Sequence, residues 1–287
     1  MNGIVVIDKP KGVTSHDVVG MLRKRFGTRR VGHTGTLDPL ATGVLPVCIG
    51  NATRAADMLT ESDKRYRAVF MLGKCTDTLD ISGELLSTRP VTVTEDEVRD
   101  CVRGFIGEQE QLPPMYSAIK QNGRKLYELA REGKEVEREK RRINIYSIDV
   151  VDINLPNVTI DVSCSKGTYI RSLCDDIGQR LGCGAVMTEL RRIAAAGFTI
   201  DNAYTIEALD ALSDKTEALI PTDRLFMDYP AIHLNENQEK IIVNGVRMTW
   251  RNGTEGARYR LYGADGRFLC ISQIEDMRLK LVRSFWT

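Results

Sequence analysis

The sequence predicts an α+β fold: a mixed, largely antiparallel sheet with flanking helices, followed by a small C-terminal β-barrel. Three observations carry this. Strand-like and helix-like segments interleave without the regular βαβ rhythm of a doubly wound parallel sheet. Two strand candidates flank Pro156-Asn157 and read as a pair. Beyond about residue 228 the apolar runs shorten and are separated by glycine turns, the pattern of a small barrel. The division expected is residues 1–228 and 229–287.

Taken in order, Ile4 to Ile7 reads as a short strand, and Ser15 as the N-cap of a helix through Phe26 with Val18, Val19 and Leu22 on its apolar side. The run Val44-Leu45-Pro46-Val47-Cys48-Ile49 reads as a buried strand, Ala52 to Leu59 as a second helix, and Tyr66 to Leu72 as a strand. Thr94-x-x-Glu97 is a capping-box pattern opening a helix toward Phe105. Arg141 to Asp152 and Val158 to Cys164 are the strand pair. Tyr169 to Leu181 is a helix ended by Gly182 or Gly184. Residues 112–140 are rich in Lys, Arg and Glu and carry Tyr116 and Tyr127, which suits either a charged helical hairpin or an insertion that grips single-stranded RNA. From Asp201 to Asp228 the chain is polar and helical. Ile241-Ile242-Val243-Asn244-Gly245, Tyr259 to Tyr262, Phe268 to Ile271 and Lys280 to Val282 read as the barrel's strands.

Composition narrows the function. The chain has 287 residues, 42% apolar and 28% charged, as in a soluble globular protein. Net charge is +1, so a nucleic-acid partner would need a local basic face. Arg23-Lys24-Arg25 with Arg29-Arg30, and Lys140-Arg141-Arg142, are candidates; a solvated helix face or strand edge explains either patch as well. Seven scattered cysteines without a C-x-x-C motif read as reduced thiols in a cytoplasmic protein. Three histidines and no zinc-ligand spacing give no expectation of a metal. The N-terminal apolar run is too short for a signal peptide. No segment approaches the ~20 apolar residues that span a bilayer.

The segment Gly32-His33-Thr34-Gly35-Thr36-Leu37-Asp38-Pro39-Leu40-Ala41-Thr42-Gly43 holds the most information. It places one carboxylate, Asp38, in a glycine-rich loop just ahead of a buried strand. Pro39 biases Asp38 toward an extended backbone. On composition alone, an ordinary surface turn explains the segment too.

The order of residues decides between these readings. Leu37-Asp38-Pro39-Leu40-Ala41-Thr42-Gly43 closely resembles the active-site motif of the TruB family, tRNA pseudouridine synthases that act on uridine 55 of the T-loop. Lys9-Pro10-Lys11-Gly12-Val13-Thr14-Ser15, Ser62-Asp63-Lys64-Arg65-Tyr66, Ser165-Lys166-Gly167-Thr168-Tyr169-Ile170-Arg171-Ser172-Leu173 and Leu190-Arg191-Arg192 resemble four further motifs of that family, in matching order. The resemblance covers Gly3 to Phe198.

The resemblance implies a pseudouridine synthase fold with a C-terminal PUA-like RNA-binding module, the latter resting on position and strand rhythm more than on a motif. It implies a catalytic Asp38, paired with Arg171 so that its pKa is held down, and reached by a base flipped into a buried, dry site. Tyr66 matches the tyrosine that stacks on the target base and is assigned the C5 proton. His33, Tyr169 and Leu190 match substrate-binding positions, and Lys9 a support of the site's architecture. It implies the T-stem-loop of tRNA as partner, residues 112–140 as its grip, no cofactor and a monomer. Three rivals remain: a tRNA-binding or tRNA-folding protein with secondary catalysis, a guide-RNA-dependent relative, and an aspartate-nucleophile phosphotransferase, which would want a second acidic cluster for Mg²⁺.

Overall fold

A computed structural model describes residues 1–60 and 62–286. Nine strands form one sheet: β1 (Gly3–Lys9), β2 (Val31–His33), β3 (Thr42–Ile49), β4 (Lys64–Leu72), β5 (Gly107–Gln111), β6 (Arg141–Asn154), β7 (Asn157–Cys164), β8 (Ala185–Ala195) and β9 (Phe198–Thr199). The order is β1-β3-β8-β4-β7-β6-β5, with β2 beside β3 and β9 beside β8. Every pair is antiparallel except β8 with β3, where Arg191 and Arg192 lie opposite Thr42 and Gly43. This is the mixed, largely antiparallel α+β sheet expected.

The helices are α1 (Ser15–Arg25), α2 (Ala56–Thr60), α3 (Glu95–Arg103), α4 (Leu126–Arg131), α5 (Ile170–Arg180), α6 (Ile206–Ala211) and α7 (Glu236–Val243). The main core contains Leu22 of α1, Phe70 of β4, Ile145 of β6, Ile160 of β7 and Leu173 of α5, all at most 1% exposed. A second layer of buried residues, including Ile4, Val6, Val44 and Cys48, packs around β1 and β3. The β3 strand is buried along nearly its whole length, so it can hold the loop that precedes it.

Four local expectations are corrected. The N-cap of α1 is Thr14, which forms a full capping box with Asp17. Ser15 instead holds the backbone of Leu37. Its Oγ accepts from the Leu37 amide at 2.8 Å and donates to the Leu37 carbonyl at 3.2 Å. The second helix begins as a 3₁₀ turn, Gly50–Ala55, before α2. Residues 112–140 are not a helical hairpin; they hold a two-stranded ribbon, Lys120–Gln121 with Arg124–Lys125, followed by α4. Finally, Ile241 to Val243 is helix α7 rather than strand. Asn235 caps it through a capping box with Gln238, and only Ile242 of the three β-branched residues is buried. The cap outweighs the weak preference of β-branched residues for strands.

The C-terminal strands β10 (Ala231–His233), β11 (Met248–Thr249), β12 (Arg258–Tyr262), β13 (Phe268–Glu275) and β14 (Arg278–Ser284) curl in the order β10-β12-β13-β14-β11 into a half-barrel with its own core. It docks on the 3₁₀ turn. Asn51 Nδ2 donates to the Phe285 carbonyl at 3.0 Å, and Arg54 Nη1 donates to Ser284 and to the Trp286 carbonyl. Among the described residues no helix is long and apolar enough to cross a membrane.

Candidate active site

The Asp38 loop is held from both sides. Ser15 clamps Leu37, the Gly12 amide donates to the Pro39 carbonyl at 2.8 Å, and the Ala41 amide closes a turn on the Asp38 carbonyl at 3.0 Å. Behind the loop, Gly43 (φ +101°) lies against β8. A Cβ there would sit 2.2 Å from the Arg192 carbonyl oxygen, so no larger residue fits. The parallel β3–β8 contact thus presses the loop onto the strand that carries Leu190 and Arg192.

Arg171 meets Asp38 directly, Nη2 to Oδ2 at 3.0 Å. The guanidinium is almost wholly buried, and four groups fix it. Nη1 donates to the Thr78 carbonyl at 3.0 Å, Nη2 to the Tyr116 carbonyl at 2.7 Å, and Nε faces Asp80 at 3.8 Å. Asp80 is itself buried, held by the Ser82 amide and by the hydroxyls of Thr78 and Ser82. Tyr169 caps the helix that carries Arg171, and Gln111 clamps the Tyr169 backbone, accepting from its amide at 2.8 Å and donating to its carbonyl at 3.0 Å.

Two electrostatic expectations are corrected. The Asp38 side chain is 37% exposed, so the acid of the free protein is partly open to solvent rather than shut in a dry cavity. Its pKa moves up from the ordinary carboxylate value, not down. Withdrawal of water by the surrounding loop is the largest cause and Asp80 adds like-charge repulsion; the Arg171 charge, its hydrogen bond and Lys9 oppose them. The ion pair therefore acts against a desolvation that exceeds it.

Lys9 is fully buried, and its Nζ donates to the carbonyls of Pro10 and Val13 at 2.9 and 2.7 Å. Burial lowers its pKa to about 8, with the Asp38 charge opposing. Tyr66 lies on β4, 8% exposed, directly opposite Arg192 of β8. Burial pushes the Tyr66 phenol up, and the Arg192 charge pulls it back. Tyr169 is also raised by burial and feels the Asp38 charge. His33, at the end of β2, accepts a hydrogen bond on Nδ1 from the Gly35 amide at 3.4 Å. Burial and the nearby charges of Arg192 and His16 lower its pKa.

The fold thus brings Asp38 against Arg171, with Lys9, Tyr66 and Tyr169 within its electrostatic reach. His33 and Leu190 sit to one side. His33 is tied to Arg192 electrostatically, and Leu190 is a core residue beside Ala68 of β4. Sequence reasoning missed Asp80, Ser15 and Arg192 as parts of the site. Arg192 could have been found, because period-two alternation along β8 puts it on the same face as Leu190. Nothing in the sequence marks Asp80 among the surface acids. The two tyrosines of the 112–140 insertion are not free stacking platforms: Tyr116 donates to Asp77 at 3.0 Å, and Lys125 and Arg131 flank the Tyr127 ring at 5.3 and 5.4 Å. Among the described residues no group of His, Cys, Asp and Glu could hold a metal ion.

Residues 23–170 match the family described as TruB family pseudouridylate synthase (N terminal domain), and residues 171–227 match the tRNA pseudouridylate synthase B C-terminal domain. The chain belongs to the TruB family of pseudouridine synthases. It is 52% identical over 253 residues to tRNA pseudouridine synthase B of Alkaliphilus oremlandii, covering 86% of this chain and 83% of that one. It is 45% identical over 289 residues to the protein of the same name from Clostridium kluyveri, covering 99% and 100%. Among solved structures, its fold is similar to a chain of a Cbf5-Nop10-Gar1 complex, with 25% identity, a TM-score of 0.74 and coverage of 99% of this chain and 85% of that one. These matches establish the pseudouridine synthase fold.

Proposed function

We propose that this TruB-family enzyme converts uridine 55 in the T-loop of tRNA to pseudouridine, acting alone on the RNA and without a cofactor. The observation that carries the reading is the Asp38–Arg171 ion pair at 3.0 Å, partly open to solvent and with Tyr66 and Tyr169 within its electrostatic reach. The relatives named tRNA pseudouridine synthase B support tRNA as substrate. Position 55 rests on the motif resemblance. A single ionised acid suits an isomerisation in which the C1′–N1 bond breaks, the uracil turns and C1′ joins C5, because no electrons enter or leave overall.

The target nucleotide must leave its stack to reach Asp38, at a cost of a few kcal/mol that is smallest in a loop. The 37% of Asp38 still open in the free protein is the face the base would cover. Covering it strengthens every charge interaction beneath, because water is expelled. Arg171 then aims the carboxylate and opposes its neutralisation. Tyr66 lies under the base as the acceptor of the C5 proton, Tyr169, Leu190 and His33 line the space around the nucleotide, and Lys9 supports the loop from below. The cationic surface of residues 112–140 gives the protein its own grip on RNA, which favours the stand-alone reading over a guide-dependent one.

Purified protein should release tritium from 5-labelled uridine in a bare tRNA transcript, with pseudouridine mapping to position 55. Failure on bare transcript with activity restored by a guide RNA would overturn the stand-alone reading. Product at another uridine would overturn the site assignment.

A further inference from the structure

Arg192 is the largest side chain in the protein with essentially no exposure, and its role in the mechanism is unassigned. A buried guanidinium without a carboxylate is costly, since no opposite charge offsets its desolvation. Among the described residues none carries a carboxylate within 4.0 Å of it. Its Nε donates to the Val44 carbonyl at 2.7 Å and its Nη2 to the Gly35 carbonyl at 3.1 Å. Tyr66 lies directly opposite Arg192 across the β4–β8 pair, and the Arg192 charge acts on its phenol.

A guanidinium has five N–H donors and no acceptor. Any hydrogen bond between the two is therefore one that the Tyr66 oxygen accepts, with its own O–H turned away from Arg192 and the oxygen toward a fixed positive charge. Both backbone carbonyls come from the segment flanking Asp38, so the phenol is registered to the loop that carries the acid.

We propose that Arg192 is the positioning residue for Tyr66, holding the phenol oxygen in place and stabilising its anionic form so that it can take the proton from C5. This rests on the pseudouridine synthase reading above. In the step concerned, C1′ is already joined to C5 and the ring carries an N1–C6 double bond. The C5–H bond breaks, its electron pair forms the C5–C6 double bond, and the N1–C6 π pair returns to N1. The C5 proton goes to the Tyr66 oxygen, while N1, whose bond to the sugar has been lost, takes a proton from solvent water to replace the one the phenol released there, so protons and electrons balance and no co-reactant is required.

The test is a deuterium isotope effect at C5, measured under single turnover with 5-deuterated uridine at the target position. Arg192→Lys keeps a charge but loses the fork. It should slow turnover roughly 100-fold, leave tRNA affinity near that of the parent, and raise the C5 isotope effect because deprotonation has become the slow step. A variant that is slow with an unchanged isotope effect, or one as fast as the parent, overturns the proposal. Tyr66→Phe removes the acceptor while keeping the ring that packs in the core. It should show the same raised isotope effect, and its failure to do so overturns the proposal even if no Arg192 variant folds. Parent protein that makes no pseudouridine would instead overturn the functional reading, which separates the two failures.

Discussion

The two walls of the site carry the same residue type, almost equally buried, and compensate it in opposite ways. On one wall, Arg171 (4% exposed) stands between two carboxylates, Asp38 and Asp80, and two carbonyls. On the other, Arg192 (1% exposed) has two carbonyls but no acid among the described residues. The first wall is assembled from distant pieces of the chain: the loop before β3, the Thr78–Asp80 turn, the insertion and α5. The second belongs to the sheet itself, through paired strands β3, β8 and β4. An ion pair can be neutralised by protons and broken by losing either partner. A guanidinium bonded to backbone carbonyls cannot be neutralised so, because those carbonyls do not titrate. The acid wall should therefore respond to pH and the sheet wall should not.

The largest effect expected on this contrast is that of Asp38→Asn. It keeps the volume and a hydrogen bond to Arg171 but removes the charge, and it should cut pseudouridine formation at least roughly 1,000-fold with folding and tRNA binding intact. Product at the parent rate would remove Asp38 from the chemistry.

Next comes Arg171→Met, which leaves Asp38 and Asp80 facing each other unpaired. Stability should fall by about 3 kcal/mol, toward the low end for a broken buried pair because Asp38 is 37% exposed. The sign with pH follows from the direction of the shifts. Without Arg171, the folded-state pKa of Asp38, already raised, rises further. The folded form then binds more protons than the unfolded one, so the variant should gain stability relative to the parent as pH falls into the mildly acidic range. Arg192→Met also destabilises, by stranding the Val44 and Gly35 carbonyls, yet acid should not rescue it. Denaturant titrations of both variants at two pH values decide whether the walls differ as claimed.

A smaller effect should appear on the alkaline side. Lys9 titrates at about 8 in the folded protein, below its ordinary 10.5, mainly through burial. As pH rises through about 8 the folded protein loses a positive charge beneath Asp38 that the unfolded chain still holds. Stability from this group therefore rises between about 8 and 10.5, while the field that favours an ionised Asp38 weakens. The single-turnover rate should show a decline centred near 8 that Lys9→Met abolishes. A decline that persists in the variant assigns it to another group.

Legibility in the sequence follows the same division. The mixed antiparallel sheet can be read from strand spacing, and the candidate acid from a loop whose residue order matches a family motif. The site's electrostatics cannot. Whether burial or Arg171 wins at Asp38 depends on how much water the folded loop excludes, and on Asp80, brought in from more than 40 residues away. Arg192 stands in plain view within Leu190-Arg191-Arg192, but its neighbour points the other way. Arg191 pairs with Asp8 at 2.7 Å, and only the strand register separates the two arginines. Helix α7 escapes a sequence reading for a similar reason. Three consecutive β-branched residues suggest a strand more loudly than a capping box suggests a helix, whereas in the protein only one of the three is buried.

The mildest perturbation reaches the acid wall without touching a charge. Ser15 reads as a helix cap in the sequence, yet its hydroxyl engages both backbone groups of Leu37, the residue before Asp38. Ser15→Ala removes those two bonds, and Thr14 still caps α1. The stability loss should be small, about 1 kcal/mol per bond at most. The rate should suffer more than that figure suggests, about tenfold, because a loop freed by a fraction of an ångström misaims its carboxylate. If the rate of Ser15→Ala matches the parent while its melting temperature falls, the ion pair to Arg171 alone aims Asp38 and the clamp contributes only to folding. If rate and melting temperature fall together while tRNA affinity holds, the aim of the acid is set from α1 as well as α5, and the acid wall is the more easily disturbed of the two.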